Sequence, residues 1–311
     1  MQPIVEVNNL VKRFDELVAV DDLSFTVHKA DVYGFLGQNG AGKSTTIRML
    51  LSLIAPSSGS IRVFGMDLQT HRKEILRQVG AVIERPDLYK YLTGLENLSI
   101  FARMSGQRPD RKKLMDQLEM VGLAERAHSK VRTYSQGMKQ RLGIAVALVH
   151  DPGLVILDEP TNGLDPQGIA DMRNLILRLS RDFGKTVIVS SHLLSEIEQI
   201  ATRMIIIDKG RKMVEGAVAD LFHPANNRVH LSVGNMQEAI EVVQQSKWAA
   251  AYLQEGSDRL AINMPPGEVP VLVQQLAASG VLIQEVRSAN SLEEYFLSIT
   301  AGKQHVAAFT N

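Results

Sequence analysis

Gly37-Gln38-Asn39-Gly40-Ala41-Gly42-Lys43-Ser44-Thr45 restricts this chain more than any other segment. It fits G-x-x-x-x-G-K-[ST], follows the apolar run VYGFL and opens the helical run STTIRMLL. That strand–loop–helix setting is the context the motif requires. The glycines let successive backbone N–H groups curl into one concavity, and the helix N-terminus adds about half a positive charge. Lys43 can reach the β and γ phosphates of a nucleotide, and the Ser44 hydroxyl can ligate Mg²⁺.

A loop of this kind needs a buried sheet behind it. The strand candidates Val32–Leu36, Val79–Ile83, Leu154–Leu157, Thr186–Ser190 and Met204–Asp208 are continuous apolar runs, as strands buried on both faces should be. Between them lie helix candidates at Lys43–Leu53, Leu95–Ala102, Arg111–Val121, Met138–His150, Gln167–Asp182 and Leu194–Ile200. The alternation predicts an α/β domain with a largely parallel sheet. Ile4–Val7 and the pair around Ala19–Val27 read as an antiparallel addition, and Asp208–Gly210 as a hairpin turn.

After residue 222 the texture changes. The order strand (Arg228–Val233), helix (Met236–Gln245), strand (Trp248–Gln254), strand (Arg259–Asn263), helix (Glu268–Ser279), strand (Val281–Val286) suggests a ferredoxin-like split βαβ. A last amphipathic helix is expected at Leu292–Ile299. The expected division is residues 1–222 for the nucleotide domain and 223–311 for an accessory α+β domain.

Composition narrows the chemistry. Among 311 residues there is no cysteine, which excludes disulfides, thiol catalysis and Cys-ligated metal. Lys plus Arg and Asp plus Glu are both 34, so no basic excess marks a nucleic-acid binder, and no nucleic-acid partner is expected. The start lacks the pattern of a secretion signal. The longest apolar run, Leu142–Val149, is far short of the ~20 residues that cross a bilayer. A cytoplasmic chain is expected, with any membrane role supplied by a partner.

Gly153-Leu154-Val155-Ile156-Leu157-Asp158-Glu159 is an apolar strand ending in two carboxylates. The C-terminal end of such a strand is where open α/β sheets bind ligands. Asp158 suits the Mg²⁺ shell. Adjacent side chains diverge, so Glu159 points to the γ-phosphate side, where it could polarise a water.

Between the two motifs, Tyr134-Ser135-Gln136-Gly137-Met138-Lys139-Gln140-Arg141 directly precedes an apolar helix. It resembles the signature of ABC-type ATPases, usually written LSGGQ. Further elements follow the family's order over residues 4–220. Phe14 sits where an aromatic stacks on adenine, Pro160-Thr161-Asn162-Gly163-Leu164-Asp165 looks like the loop joining two nucleotide sites, and His192 matches the switch histidine. The resemblance implies a P-loop NTPase fold with a helical subdomain and antiparallel β addition, using ATP and Mg²⁺. It also implies a head-to-tail homodimer in which Ser135, Gln136 and Gly137 act on the ATP held by the other subunit. Glu159 would be the general base or water-orienting group, His192 a γ-phosphate hydrogen bonder, and Asp165 an orienting group across the dimer.

Two departures stand out. The family usually has Gln where this chain has Glu84, which could still offer an oxygen to Mg²⁺ or to the water. Tyr134 and Gln136 stand where Leu and Gly are commoner. Glu84, its flanking sequence and YSQGMKQR resemble ATPases serving bacitracin- and lantibiotic-type self-protection exporters, and the tail Ser291–Leu297 resembles drug-export ATPases. Separately encoded membrane permeases, and a place on the inner face of the cell membrane, are what this implies. The segment Arg85–Leu92, rich in tyrosine and broken by Pro86, is expected to form part of a groove for a partner's helix, or else a loop with its tyrosines against the core. An ABC-type ATPase acting on ribosomes or nucleic acid is the other class. Such chains carry tandem ATPase units or a long coiled coil, and this one has neither.

Overall fold

The apolar runs become the middle of a parallel sheet. The computed structural model describes residues 2–222, 227–255, 259–290 and 296. They form two compact units, Met1–Gly216 and a second beginning at Ala217. The division falls before the helix α8 (Val218–Leu221), a few residues ahead of the expected 222/223.

In the first unit, β3 (Val32–Leu36), β7 (Leu154–Asp158) and β8 (Thr186–Ser191) are buried at every position. With β6 (Val79–Val82), β9 (Arg203–Asp208) and β10 (Arg211–Ala217) they build a sheet of order β10-β9-β3-β8-β7-β6. The contacts β9-β3-β8-β7-β6 are all parallel. That order sets the C-terminal ends of β3, β8, β7 and β6 side by side along one edge. The expected hairpin at Asp208–Gly210 is a two-residue turn with φ 47° at Lys209 and 79° at Gly210, the left-handed pair that suits strand twist.

The antiparallel addition is longer than its sequence suggests. β1 (Pro3–Phe14) and β2 (Leu17–His28) form a bulged hairpin, and β1 also pairs with β4 (Ser58–Val63), which pairs with β5 (Met66–Asp67). Val5, Val7, Leu10, Val20, Leu23 and Val27 point into a core shared with Phe35, Ile47 and Ile156. Burial, then the neighbouring Glu215 carboxylate, pushes the Tyr33 phenol well above its ordinary range, and its hydroxyl donates to Glu215 Oε1 at 2.8 Å.

Helices α1 (Lys43–Leu50), α2 (Arg72–Leu76), α6 (Pro166–Arg181) and α7 (Leu194–Ile200) connect the strands. A helical region of α3 (Gly94–Met104), α4 (Arg111–Met120) and α5 (Gln136–Leu148) carries the signature. Thr93 and Glu96 form a reciprocal capping box at the start of α3, and those hydrogen bonds hold the Glu96 carboxyl below its usual range. No helix among the described residues is long and apolar enough to cross a membrane.

The second unit contains β11 (Asn227–Val233), α9 (Met236–Gln244), β12 (Tyr252–Glu255), β13 (Arg259–Asn263), α10 (Val269–Ala278) and β14 (Ile283–Asn290). The sheet order β12-β13-β11-β14, with every neighbour antiparallel, is the ferredoxin-like arrangement expected. The strand expected at Trp248–Gln254 starts only at Tyr252, because Trp248 turns its ring into the core and donates Nε1–H to Glu268 at 2.6 Å. Of the expected helix Leu292–Ile299 only Phe296, which is buried, belongs to the described residues; the tail Ser291–Leu297 otherwise lies outside them too.

Candidate functional site

Gly37 to Gly42 leave the end of β3, and Lys43 starts α1. Gly42 has φ 105°, and a Cβ there would lie 2.6 Å from the Ala19 carbonyl oxygen on β2. Only glycine meets both demands. The Gly37 N–H donates to Ser191 O at 3.3 Å, tying the loop to the end of β8. Gly210 N–H donates to Ala41 O, and Asp21 N–H to Gly210 O, both at 2.9 Å. Thus the β9–β10 turn and the β1–β2 hairpin brace one side of the loop.

The Lys43 side chain is only 5% exposed and folds back over its own loop. Its ammonium donates to Gly37 O at 2.7 Å and Gln38 O at 3.4 Å, and lies 3.2 Å from Glu159 Oε1. The other oxygen of Glu159 is 2.9 Å from His192 Nδ1. One carboxylate therefore bridges the loop lysine and the histidine beyond β8. Glu159 has φ 49°, an uncommon conformation for a side-chain-bearing residue, of the sort that clusters at functional sites.

Asp158 is buried at 2% exposure. Ser190, its partner across the β7–β8 ladder, donates to Asp158 Oδ1 and accepts the Glu159 N–H at 2.9 Å. Ser190 orients both acids, a role the sequence reading missed. Two hydroxyl residues closing an otherwise apolar strand, TVIVSS, were the available sign. Among the described residues Asp158 Oδ2 is buried without a hydrogen-bond partner. There is no cluster of three or more acids or histidines among those residues that could hold a metal. The orphan oxygen of Asp158, at the end of β7, and the hydroxyl of Ser44, at the helix start, are hard oxygen donors. Such donors fit Mg²⁺, which completes its octahedron with waters and substrate phosphates.

Glu84 follows β6, at the same sheet edge as Glu159, and has φ 56°. Its carboxylate is turned to Arg48 on α1, at 2.7 Å, and its carbonyl accepts from Gln140 Nε2 on α5 at 3.4 Å. Glu84 thus links the loop helix to the signature helix. Arg48, the cation that answers its charge, went unnoticed in the sequence.

Ser135 caps α5, accepting the Met138 N–H at 3.2 Å, and Gln136 Nε2 approaches Asn162 O at 3.5 Å. A Cβ on Gly137 would meet nothing nearer than Leu164 Cδ2 at 3.8 Å. Tyr134 is a packing residue: it is 3% exposed, and its hydroxyl donates to Arg126 O at 2.6 Å. Burial raises its phenol, with Arg126 opposing. A Cβ on Gly94 would lie 2.5 Å from that hydroxyl, so the α3 start is matched to tyrosine here. Asp165 caps α6 within its own chain, accepting the Gly168 N–H at 3.1 Å. Phe14 ends β1 at the hairpin tip and is 44% exposed.

The segment after Glu84 is held by its backbone. Buried Asn97 accepts the Tyr89 N–H at 2.9 Å and donates to the Tyr89 carbonyl at 3.1 Å. Tyr89 and Tyr91 are 49% and 81% exposed. Beside them Arg85, Pro86, Leu88, Lys139 and Gln140 help line a concavity of about 280 Å³.

A family model described as ABC transporter matches residues 20–162. An uncharacterized ABC transporter ATP-binding protein of Bacillus subtilis strain 168 is 40% identical over 96% of this chain and 97% of its own length. The bacitracin transport ATP-binding protein BcrA of Bacillus licheniformis is also 40% identical, over 97% of this chain and 99% of that protein. A dimeric ATP-binding cassette solved in a post-hydrolysis state with ADP and phosphate matches with TM-score 0.62 at 25% identity, covering 69% of this chain and 99% of that one. With relatives 40% identical and aligned almost end to end, the chain belongs to the ABC transporter family, as an ATP-binding and ATP-hydrolysing subunit.

Proposed function

We propose that the chain powers export through separate membrane permeases, by hydrolysing ATP in a head-to-tail dimer of its own kind. The observation that carries the catalytic part is the Glu159 carboxylate held between Lys43 and His192. The triphosphate takes N–H groups of the loop between Gly37 and Thr45 that are not already bonded within the chain, and the Lys43 ammonium, which Glu159 releases. Glu159 then accepts a hydrogen bond from a water aligned with the γ-phosphorus. The water oxygen bonds to that phosphorus as the bond to the β–γ bridging oxygen breaks, and the proton the water sheds passes to the Glu159 carboxylate or directly to a phosphate oxygen, giving ADP and inorganic phosphate. His192 donates to the γ-phosphate, Ser135 and the Gly137 N–H close the chamber from the second subunit, and Asp165 orients groups across the interface. Mg²⁺, held by Ser44 and Asp158, would offset phosphate charge. Catalysis is positioning and electrostatics rather than covalent chemistry.

The dimer is supported by the outward-facing Gly137 and by the dimeric cassette of matching fold. Export and permease partners are supported by the bacitracin transport relative. The ribosome or nucleic-acid alternative has no such support. The exposed tyrosines beside a concavity fit the permease-facing groove. A photocrosslinker at Tyr91, in the intact complex in its native membrane, is expected to capture a multi-span subunit. Capture of ribosomal protein alone, or of nothing, would reject the groove.

Glu84→Gln removes an ion pair whose side chains are 45% and 66% exposed. Such pairs contribute about 0–1 kcal/mol, so the fold and ATP affinity should hardly change. Turnover or its stimulation by the permease should change, because the link from Arg48 to the signature helix is altered. A large loss of ATP binding would mean that Glu84 belongs to the phosphate grip instead.

A further inference from the structure

We propose that Lys12 is a positioning residue for the purine base, fixing the Phe14 ring relative to the phosphate loop. The inference rests on Phe14 being the surface on which the base stacks. Phe14 stands at the end of a strand with nearly half its surface in water, so burial alone does little to hold its ring. Lys12 is two residues earlier, on the same face of the strand. Its ammonium lies over the Phe14 ring, 4.8 Å from the centroid. A surface lysine normally samples many rotamers. Here Nζ also donates to the Ala55 carbonyl at 2.8 Å, which narrows that choice.

Ala55 belongs to the segment that follows α1. That segment is itself fastened to β1, where Ser57 N–H donates to Val11 O at 2.8 Å and Ser57 Oγ accepts the Arg13 N–H at 3.0 Å. The helix that opens on the phosphate loop is therefore tied, past its far end, to the strand that carries Phe14. Lys12 completes the tie by reaching from the carbonyl to the ring. A cation against the ring both restrains it and draws on its electron density, leaving the solvent-exposed surface of the ring for an electron-rich purine. The distance from base platform to phosphate grip is thereby set before the nucleotide arrives, and pre-set geometry lowers the ordering cost of binding.

The test is equilibrium binding to the purified full chain of two probes, ATP and inorganic tripolyphosphate, which has phosphates but no base. Lys12→Met keeps the unbranched side chain as far as Cε and removes the ammonium. It is expected to weaken ATP binding about two- to fivefold while leaving tripolyphosphate binding unchanged. Lys12→Arg should retain parental ATP affinity, since a guanidinium also sits well on an aromatic face. In a Phe14→Ala background Lys12→Met should cause no further loss. Equal weakening of both probes would show that Lys12 acts through the loop at 55–57, and unchanged ATP binding would show that it does nothing; either overturns the proposal. If Phe14→Ala leaves ATP binding intact, the Phe14 reading fails and Lys12 falls with it. If Phe14→Ala weakens ATP binding and Lys12→Met does not, the Lys12 proposal fails alone.

Discussion

Lys43→Ala is expected to weaken ATP binding by about a hundredfold or more, since at least two charge-assisted hydrogen bonds of about 1.5 kcal/mol each are lost. The side chain is almost wholly buried, so no neighbouring surface cation can take its place. Its ammonium is shared among Gly37 O, Gln38 O and Glu159, and Glu159 keeps its contact with His192 when the lysine is removed. The fold should therefore survive while the grip is lost. Thermal unfolding with and without nucleotide separates the two. The parental chain at a hundred times Kd should gain about 2.7 kcal/mol of stability, and the variant at the same concentration only a fraction of that. A full ATP-induced rise in Tm for Lys43→Ala would remove the phosphate-loop argument.

Much of this was legible because the motifs are local and the strands are uniform. VYGFL, LVILD and TVIVSS could only be buried strands, and their order carries the residues after them to one edge. β4 was missed because SGSIRV buries only Ile61 and Val63, which is too weak a pattern to read without its partner β1. The sequence pattern carries the helix from Lys43 through Leu53, three residues too far. It stops at Leu50 because Ser52, at φ 52°, turns the chain left-handed, and nothing in MLLSLI announces that.

The site divides the same way. Lys43, Asp158, Glu159 and His192 lie in motifs, and the sheet order does bring the lysine, Glu159 and the histidine together. Ser190, Arg48 and Lys12 make their contacts across strands, between a helix and a loop, and between a strand and a loop. Their partners are 32, 36 and 43 residues away in the chain. Such contacts leave no local spacing to recognise. Tyr134 shows a different limit: the sequence marks it as a departure from the family pattern without giving it a role, and the structure makes it a packing residue, matched by the absence of a side chain at Gly94.

Glu159→Gln should keep ATP binding and stop turnover, with a loss of about 10²–10⁴ in rate if the carboxylate is the group that takes or directs the water's proton. The amide has nearly the same shape, so the contact with His192 and the strained turn at φ 49° can persist. What changes is charge. The carboxylate lies 3.2 Å from the Lys43 ammonium, and an incoming γ-phosphate must compete with it for that cation. A neutral amide competes less, so ATP affinity should stay level or rise. Because the nucleotide then remains intact, the two subunits it joins should stay joined. Size-exclusion chromatography with Mg²⁺ and ATP should show a persistent dimer for the variant and a transient one for the parent, alongside release of labelled phosphate as the measure of turnover. A variant that hydrolyses at the parental rate would strip Glu159 of its role. One that stops turning over yet never dimerises would leave the acid in place and remove the second subunit from the mechanism.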